Sequence, residues 1–137
     1  MGPVTEAIYD RLVGDHDLGV LLSTYDGEPG VFTVDPVPGD AVLPYIVTAG
    51  NVGVRAFDTK TTRGRELTRD VRCYTEADGS AVLVEAIAEQ VRALLHRQPL
   101  TIEGFGVWLM ECSGPVVMSE PDAYGRIVSV RMMLMED

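Results

Sequence analysis

The chain contains no uninterrupted apolar run approaching the ~20 residues that cross a bilayer, so no membrane partner is expected. Its first residues, MGPVTEAIYDRL, lack a basic segment followed by an apolar core, which predicts no secretory leader. There are only two cysteines, Cys73 and Cys112. Neither has a CxxC partner or a histidine at metal-ligand spacing, and each reads as a small buried hydrophobe. Histidines also number two. His16, within Asp-His-Asp, reads as a solvated turn, because three adjacent residues rarely converge on one ion. His96 falls at a helix end, where a positive charge is favourable. GxSxG, HExxH and P-loop patterns are all missing. The lone Gly104-Phe105-Gly106 has no helix pattern after it and reads as a tight turn, not a phosphate cradle. Carboxylates are scattered without a matched pair. No enzyme activity, catalytic residue, cofactor or metal is therefore expected.

Positive charge is scarce: 11 Lys and Arg stand against 21 Asp and Glu, a net charge of −10. That balance argues against a general nucleic-acid binder, which presents a basic stripe, and favours solubility. The few cations are unevenly placed. Arg55, Lys60, Arg63, Arg65, Arg69 and Arg72 fall within one stretch. One reading is a solvated loop and strand face; the other is a patch that meets an acidic partner, such as the acidic surface of another copy. Aromatics near these cations are few, with Phe57 the sole candidate, so no stacking platform for single strands is present.

What the sequence does contain is an ordinary soluble composition, 46% hydrophobic and 23% charged, in 137 residues. This length suits one domain, taken as 1–137. A first helix is expected from a Thr5 cap, with Ile8 and Leu12 on one face and Gly14 as its stop. A short helical turn covers Asp17 to Leu22. Tyr25 to Pro44 is rich in Pro and Gly, and Val31 to Val34 in its middle is an edge strand at best. Tyr45 to Ala49 reads as a strand, and Gly50 to Gly64 as a long polar loop. Glu66 to Tyr74 alternates, with Leu67, Val71 and Cys73 on one face; Arg69 falls on that apolar side, either snorkelling at a sheet edge or sitting at an interface.

The strongest helix signal runs from Ser80 to His96, where Val84, Ile87, Ala88, Val91, Leu94 and Leu95 make one stripe. Asp78 or Ser80 is placed to cap it, and Glu89 to pair with Arg92. Gly106 to Cys112 and Arg126 to Met135 read as two closing strands, with Val128, Val130, Met132 and Leu134 on one face. Ile127, Met133 and Met135 fall on the other, an apolar patch if exposed. The expected fold class is α+β: a mostly antiparallel sheet packed on one long amphipathic helix, plus a short N-terminal helix.

The segments IYDRLVGD…LGVLLS, LPYIVTAG, DTKTTRGRELTRDVRCYTEADG, VEAIAEQVRALLH, PLTIEG and EPDAYGRIVSVRMMLME occur in an order that resembles a known family. It is that of the tail-completion or tail-terminator proteins, the small head–tail joining proteins of long-tailed bacteriophages, prophages and gene transfer particles. The resemblance covers nearly the whole chain and rests on order and spacing more than on any single motif. It implies a structural virion protein, made in the bacterial host cytoplasm, that forms a ring, usually of six copies, on the head-proximal end of the tail tube. Such a ring ends tube polymerisation and presents a surface to the head connector. The implied partners are further copies of the chain, the major tail tube protein and the head-connector or stopper protein, with DNA only in transit through the lumen. The resemblance implies no catalytic or cofactor-binding residues.

A closed ring uses heterologous interfaces, in which one patch meets a different patch on the neighbour. Arg63 and Arg65 are the first candidates for subunit or tail-tube contact, and Arg55, Lys60 and Arg69 follow. A stopper or other minor neck protein is the alternative within the same class; a small ligand-binding protein or enzyme is the alternative outside it.

Overall fold

A computed structural model describes residues 2–56, 58–98 and 100–137. The elements run α1 (Gly2–Val13), α2 (His16–Gly19), β1 (Thr24–Tyr25), β2 (Glu28–Pro29), β3 (Val31–Phe32), β4 (Tyr45–Val47), β5 (Asn51–Ala56), β6 (Gly64–Glu76), α3 (Val82–Leu95), β7 (Phe105–Val117) and β8 (Ala123–Glu136). β1 and β2 form a small hairpin; the other six strands form one sheet. Its order is β3-β4-β6-β8-β7, with β5 pairing β6 beside β4.

The sheet is built on alternation. Leu67, Arg69, Val71 and Cys73 of β6 are all fully buried, as are Val128, Val130, Met132 and Leu134 of β8. Antiparallel pairing sets Leu67 opposite Met132 and Val71 opposite Val128, so one face of the long hairpin is a continuous apolar surface. α1 and α3 cover that face. Val4, Ile8 and Leu12, one turn apart, are the buried stripe of α1. Val84, Ile87, Ala88, Val91 and Leu95 are that of α3. No helix among the described residues is long and apolar enough to cross a membrane.

The expected fold class needs correction. The chain is mostly β: β6, β7 and β8, of 13, 13 and 14 residues, together outnumber the residues of all three helices. The sheet is mixed, because β3 runs parallel to β4. There is also no single long helix; α3 has 14 residues and α1 has 12. The closing strands outrun their hydrophobic alternation because ladder hydrogen bonds need no apolar side chains. β7 continues through Gly114 and Pro115, past a register shift, to the exposed Val116 and Val117.

Smaller expectations change as well. The segment read as a long polar loop contains β5, which pairs Arg55 with Glu66 and Ala56 with Arg65, so the connection shrinks to residues 57–63. Thr5 does not cap α1, which starts at Gly2; its hydroxyl accepts a hydrogen bond from Arg69 Nη1 at 2.9 Å. α3 begins after Ala81, whose own side chain caps nothing, and the Ser80 hydroxyl accepts from the Val82 amide at 3.4 Å. Its ion pair joins Glu85 to Arg126 at 3.2 Å. Met135 is buried, and Ile127 and Met133 are half-buried, so they form no exposed apolar patch. Val31–Phe32 is the edge strand expected of its proline-rich surroundings. Gly104 adopts φ 85°, the left-handed conformation of a tight turn, and its carbonyl accepts from the Asp137 amide at 3.1 Å.

Candidate functional site

The β5–β6 hairpin projects the scarce cations. Its loop is closed by threonines: the Thr59 amide donates to the Thr62 carbonyl at 2.8 Å, and the Thr62 amide to Thr59 Oγ1 at 3.1 Å. The Gly64 amide donates to Asp58 Oδ1 at 3.2 Å, and the Glu136 amide to the Arg63 carbonyl at 2.8 Å. Lys60 is exposed in this loop. Arg55, Arg63 and Arg65 converge on one shallow depression of about 270 Å³, with Asp58 and Glu136 on its margin. Arg55 and Arg63 are exposed, and neither forms an ion pair within the described residues. Opposite Arg55, Glu66 is already engaged by Arg131 at 3.0 Å. That hydrogen bond holds the Glu66 carboxyl below its usual range, with the charges of Arg131 and Arg55 adding to it against a partial loss of solvent.

Arg69 does not join the others. It is fully buried and is the largest such side chain among the described residues. Its Nε donates to Asn51 Oδ1 and its Nη1 to Thr5 Oγ1, both at 2.9 Å, so it ties α1 to the start of β5. Nη2 has no partner among the described residues, and no carboxylate pairs with the guanidinium. Burial pushes its pKa down, as desolvation of a cation must.

The opposite border of the sheet, β7, is covered from within over its middle, at Met110 and Cys112. The Arg97 amide donates to the Met110 carbonyl at 2.9 Å, and the Cys112 amide donates to His96 Nδ1 at 3.0 Å. His96, at the C-cap of α3, thus serves as a hydrogen-bond acceptor for the sheet edge. Asp15 caps α2 by accepting from the Leu18 amide and also accepts from Gln90 Nε2, both at 2.9 Å, so the Asp-His-Asp turn has a structural use.

A second surface lies on the helix-free face. Residues 33–44 fold back over the end of the sheet, where Val37 and Leu43 pack against Val47, Tyr74 and Ala123. Phe32, Tyr45 and Tyr74 contact one another edge-to-face, with ring centroids 5.6 and 5.8 Å apart. The result is a groove of about 450 Å³, apolar on its floor and bordered by Asp35, Glu120 and Asp122. Asp35 is paired with Arg72 at 2.8 Å. Sequence reading missed this groove because its residues come from four segments; the visible trace was two tyrosines, Tyr45 and Tyr74, set directly across from each other.

Both thiols are buried, and desolvation pushes Cys73 up to about 12 and Cys112 up to about 11, so neither is an activated nucleophile. Among the described residues no group of three or more His, Cys, Asp or Glu is placed to hold a metal ion. What these surfaces offer is contact: a cationic hairpin, an acid-rimmed groove and long strand edges.

The family model of tail completion protein gp17 matches residues 6–135, from within α1 to within β8, and so takes in α3 and all but the last residue of the sheet. The chain belongs to that family. As a tail completion protein it is a structural component of a phage-like tail and resides in the virion. Its fold is shared with a chain of the virion of a native gene transfer agent particle, with a TM-score of 0.78 at 20% identity, over 98% of this chain and 96% of that one. No curated protein sequence matches it significantly.

Proposed function

We propose that this tail completion protein caps the head-proximal end of the tail tube as a ring, ends tube polymerisation and forms the joint to the head connector. The observation that carries this reading is the family match over residues 6–135. The surface is consistent with it: a chain of net charge −10 gathers Arg55, Arg63 and Arg65 around one depression on a projecting hairpin, with Lys60 in its loop. Copies of an acidic protein repel one another unless an interface compensates, and a cationic hairpin is such a compensation. Arg63, Arg65, Arg55 and Lys60 are the proposed contacts to a neighbouring subunit or to the tube. Arg69, fully buried, supports the hairpin and makes no contact itself.

The test is native mass, across protein concentration and salt, with and without purified tail tubes. A ring of about six copies is expected, either alone or once tubes are added. Arg63→Glu with Arg65→Glu should weaken that assembly strongly while leaving the thermal melt of the monomer unchanged. A wild-type protein that stays monomeric in the presence of tubes removes the ring. Normal assembly of the double variant removes the hairpin.

A further inference from the structure

We infer that the groove on the helix-free face is the seat for the cationic hairpin of the next copy in the ring. This inference rests on the ring reading above and adds to it the identity of the surface that receives the hairpin.

Two features make the groove a site for long basic side chains. Its lining includes the half-buried Tyr45 ring, with Tyr74 and Val47 largely covered behind it, and Arg72, whose charge is taken up by Asp35 at 2.8 Å. Arg and Lys stems lie well along such a surface, and their charged heads are drawn to aromatic faces. Its rim carries Glu120 and Asp122, both exposed and neither in an ion pair among the described residues. The hairpin supplies the complement, with exposed Arg55, Lys60 and Arg63.

The placement is also right for a contact that propagates. Both surfaces lie along β6, the hairpin at its start near Arg65 and the groove at its end near Tyr74. Nine residues of strand separate them, about 30 Å at the strand rise. A protomer therefore cannot close its own hairpin onto its own groove. Two distinct complementary patches on one rigid body form a heterologous contact, which closes into a ring when the rotation allows. A second acidic depression, bordered by Glu6, Asp10 and Glu103, lacks an aromatic floor and is the competing seat.

A charge swap tests this. Arg63→Glu/Arg65→Glu and Glu120→Lys/Asp122→Lys are made separately and together, and assembly is followed by native mass with tail tubes present. Thermal melts establish that each variant is folded. Each reversal alone should weaken assembly about a hundredfold, as like charges brought together would, and the combined variant should recover most of that loss. If both reversals break assembly and the combination stays broken, hairpin and groove do not meet, and the inference falls while the hairpin keeps its role. It falls in the same way if only the hairpin reversal has an effect, or if Glu6→Lys/Asp10→Lys rescues in place of the groove pair. If neither reversal matters, the inference and the hairpin reading fall together.

Discussion

The two borders of the sheet are managed in opposite ways. At β7 the chain after α3 returns to the strand, and His96 and Arg97 take up the Cys112 amide and the Met110 carbonyl. Over Met110 to Cys112 the edge therefore has its backbone groups satisfied and is blocked to further strands, the usual protection against unwanted pairing. At β5 nothing of the kind is present among the described residues. Val52 and Val54 are 63% and 58% exposed, and the strand is held at Asn51 by Arg69. Exposed apolar side chains occur on both borders, Trp108, Val116 and Val117 on β7 as well as Val52 and Val54 on β5, but only β5 carries the exposed cations, and only β7 is met by a returning loop, so the two borders differ in charge and in backbone pairing. That polarity is what a head-to-tail contact requires.

The largest effect is expected where the open border is held in place. Arg69 is a buried cation without a carboxylate, and such groups often cost more in desolvation than they return. Arg69→Ala removes the charge but leaves a cavity and takes a hydrogen-bond partner from Asn51 and Thr5, and should destabilise the fold by about 3 kcal/mol. Arg69→Met fills most of the volume and should lie within about 1 kcal/mol of wild type. In both variants the amides of β5 should exchange faster while those of β7 do not. Chemical denaturation and hydrogen exchange read these effects. If Met is as damaging as Ala, the two hydrogen bonds, not the volume, hold β5.

A smaller effect is expected at the closed border. His96→Ala leaves the Cys112 amide unpaired at a site only 7% exposed, at a cost of about 1–2 kcal/mol. Exchange should accelerate at Cys112 and its neighbours in β7, with β5 unaffected. His96→Asn, which keeps a side-chain acceptor, should recover part of the loss. Equal loss in both variants would mean that ring packing, not the hydrogen bond, closes this edge.

The difference between the borders also explains what sequence could reveal. Both helical stripes, the alternation of β6 from Leu67 to Cys73 and that of β8 were legible, because each has one buried face. β5 was not, since its residues are half-buried or exposed and carry no burial period. The parallel pairing of β3 with β4, and the end of β7, depend on backbone hydrogen bonds that leave no side-chain pattern. The cation cluster was visible as a run, but which members share a surface depended on the hairpin. It sets Arg55 beside Arg63 and Arg65, while four residues further along β6 Arg69 passes under the helices. Arg69 on the apolar side of its strand was the one sign that it differs.

The smallest effect concerns how much of the open border's positive charge is balanced within the protomer. Glu66 lies across from Arg55 but is hydrogen-bonded to Arg131 of β8, which lowers its carboxyl pKa in the folded state. A carboxyl with a depressed folded pKa adds stability that is fully present above its unfolded value, near pH ~4.3. That stability is lost as pH falls through the lower folded value. Glu66→Gln should therefore melt slightly below wild type at neutral pH, and the two should converge in acid once both side chains are uncharged. The pair is solvent-exposed, so the neutral-pH gap should also shrink with added salt. A gap that persists unchanged in acid would mean that Glu66 acts through packing and not through its charge. Arg55 would then face a partner with its charge unbalanced by the strand opposite.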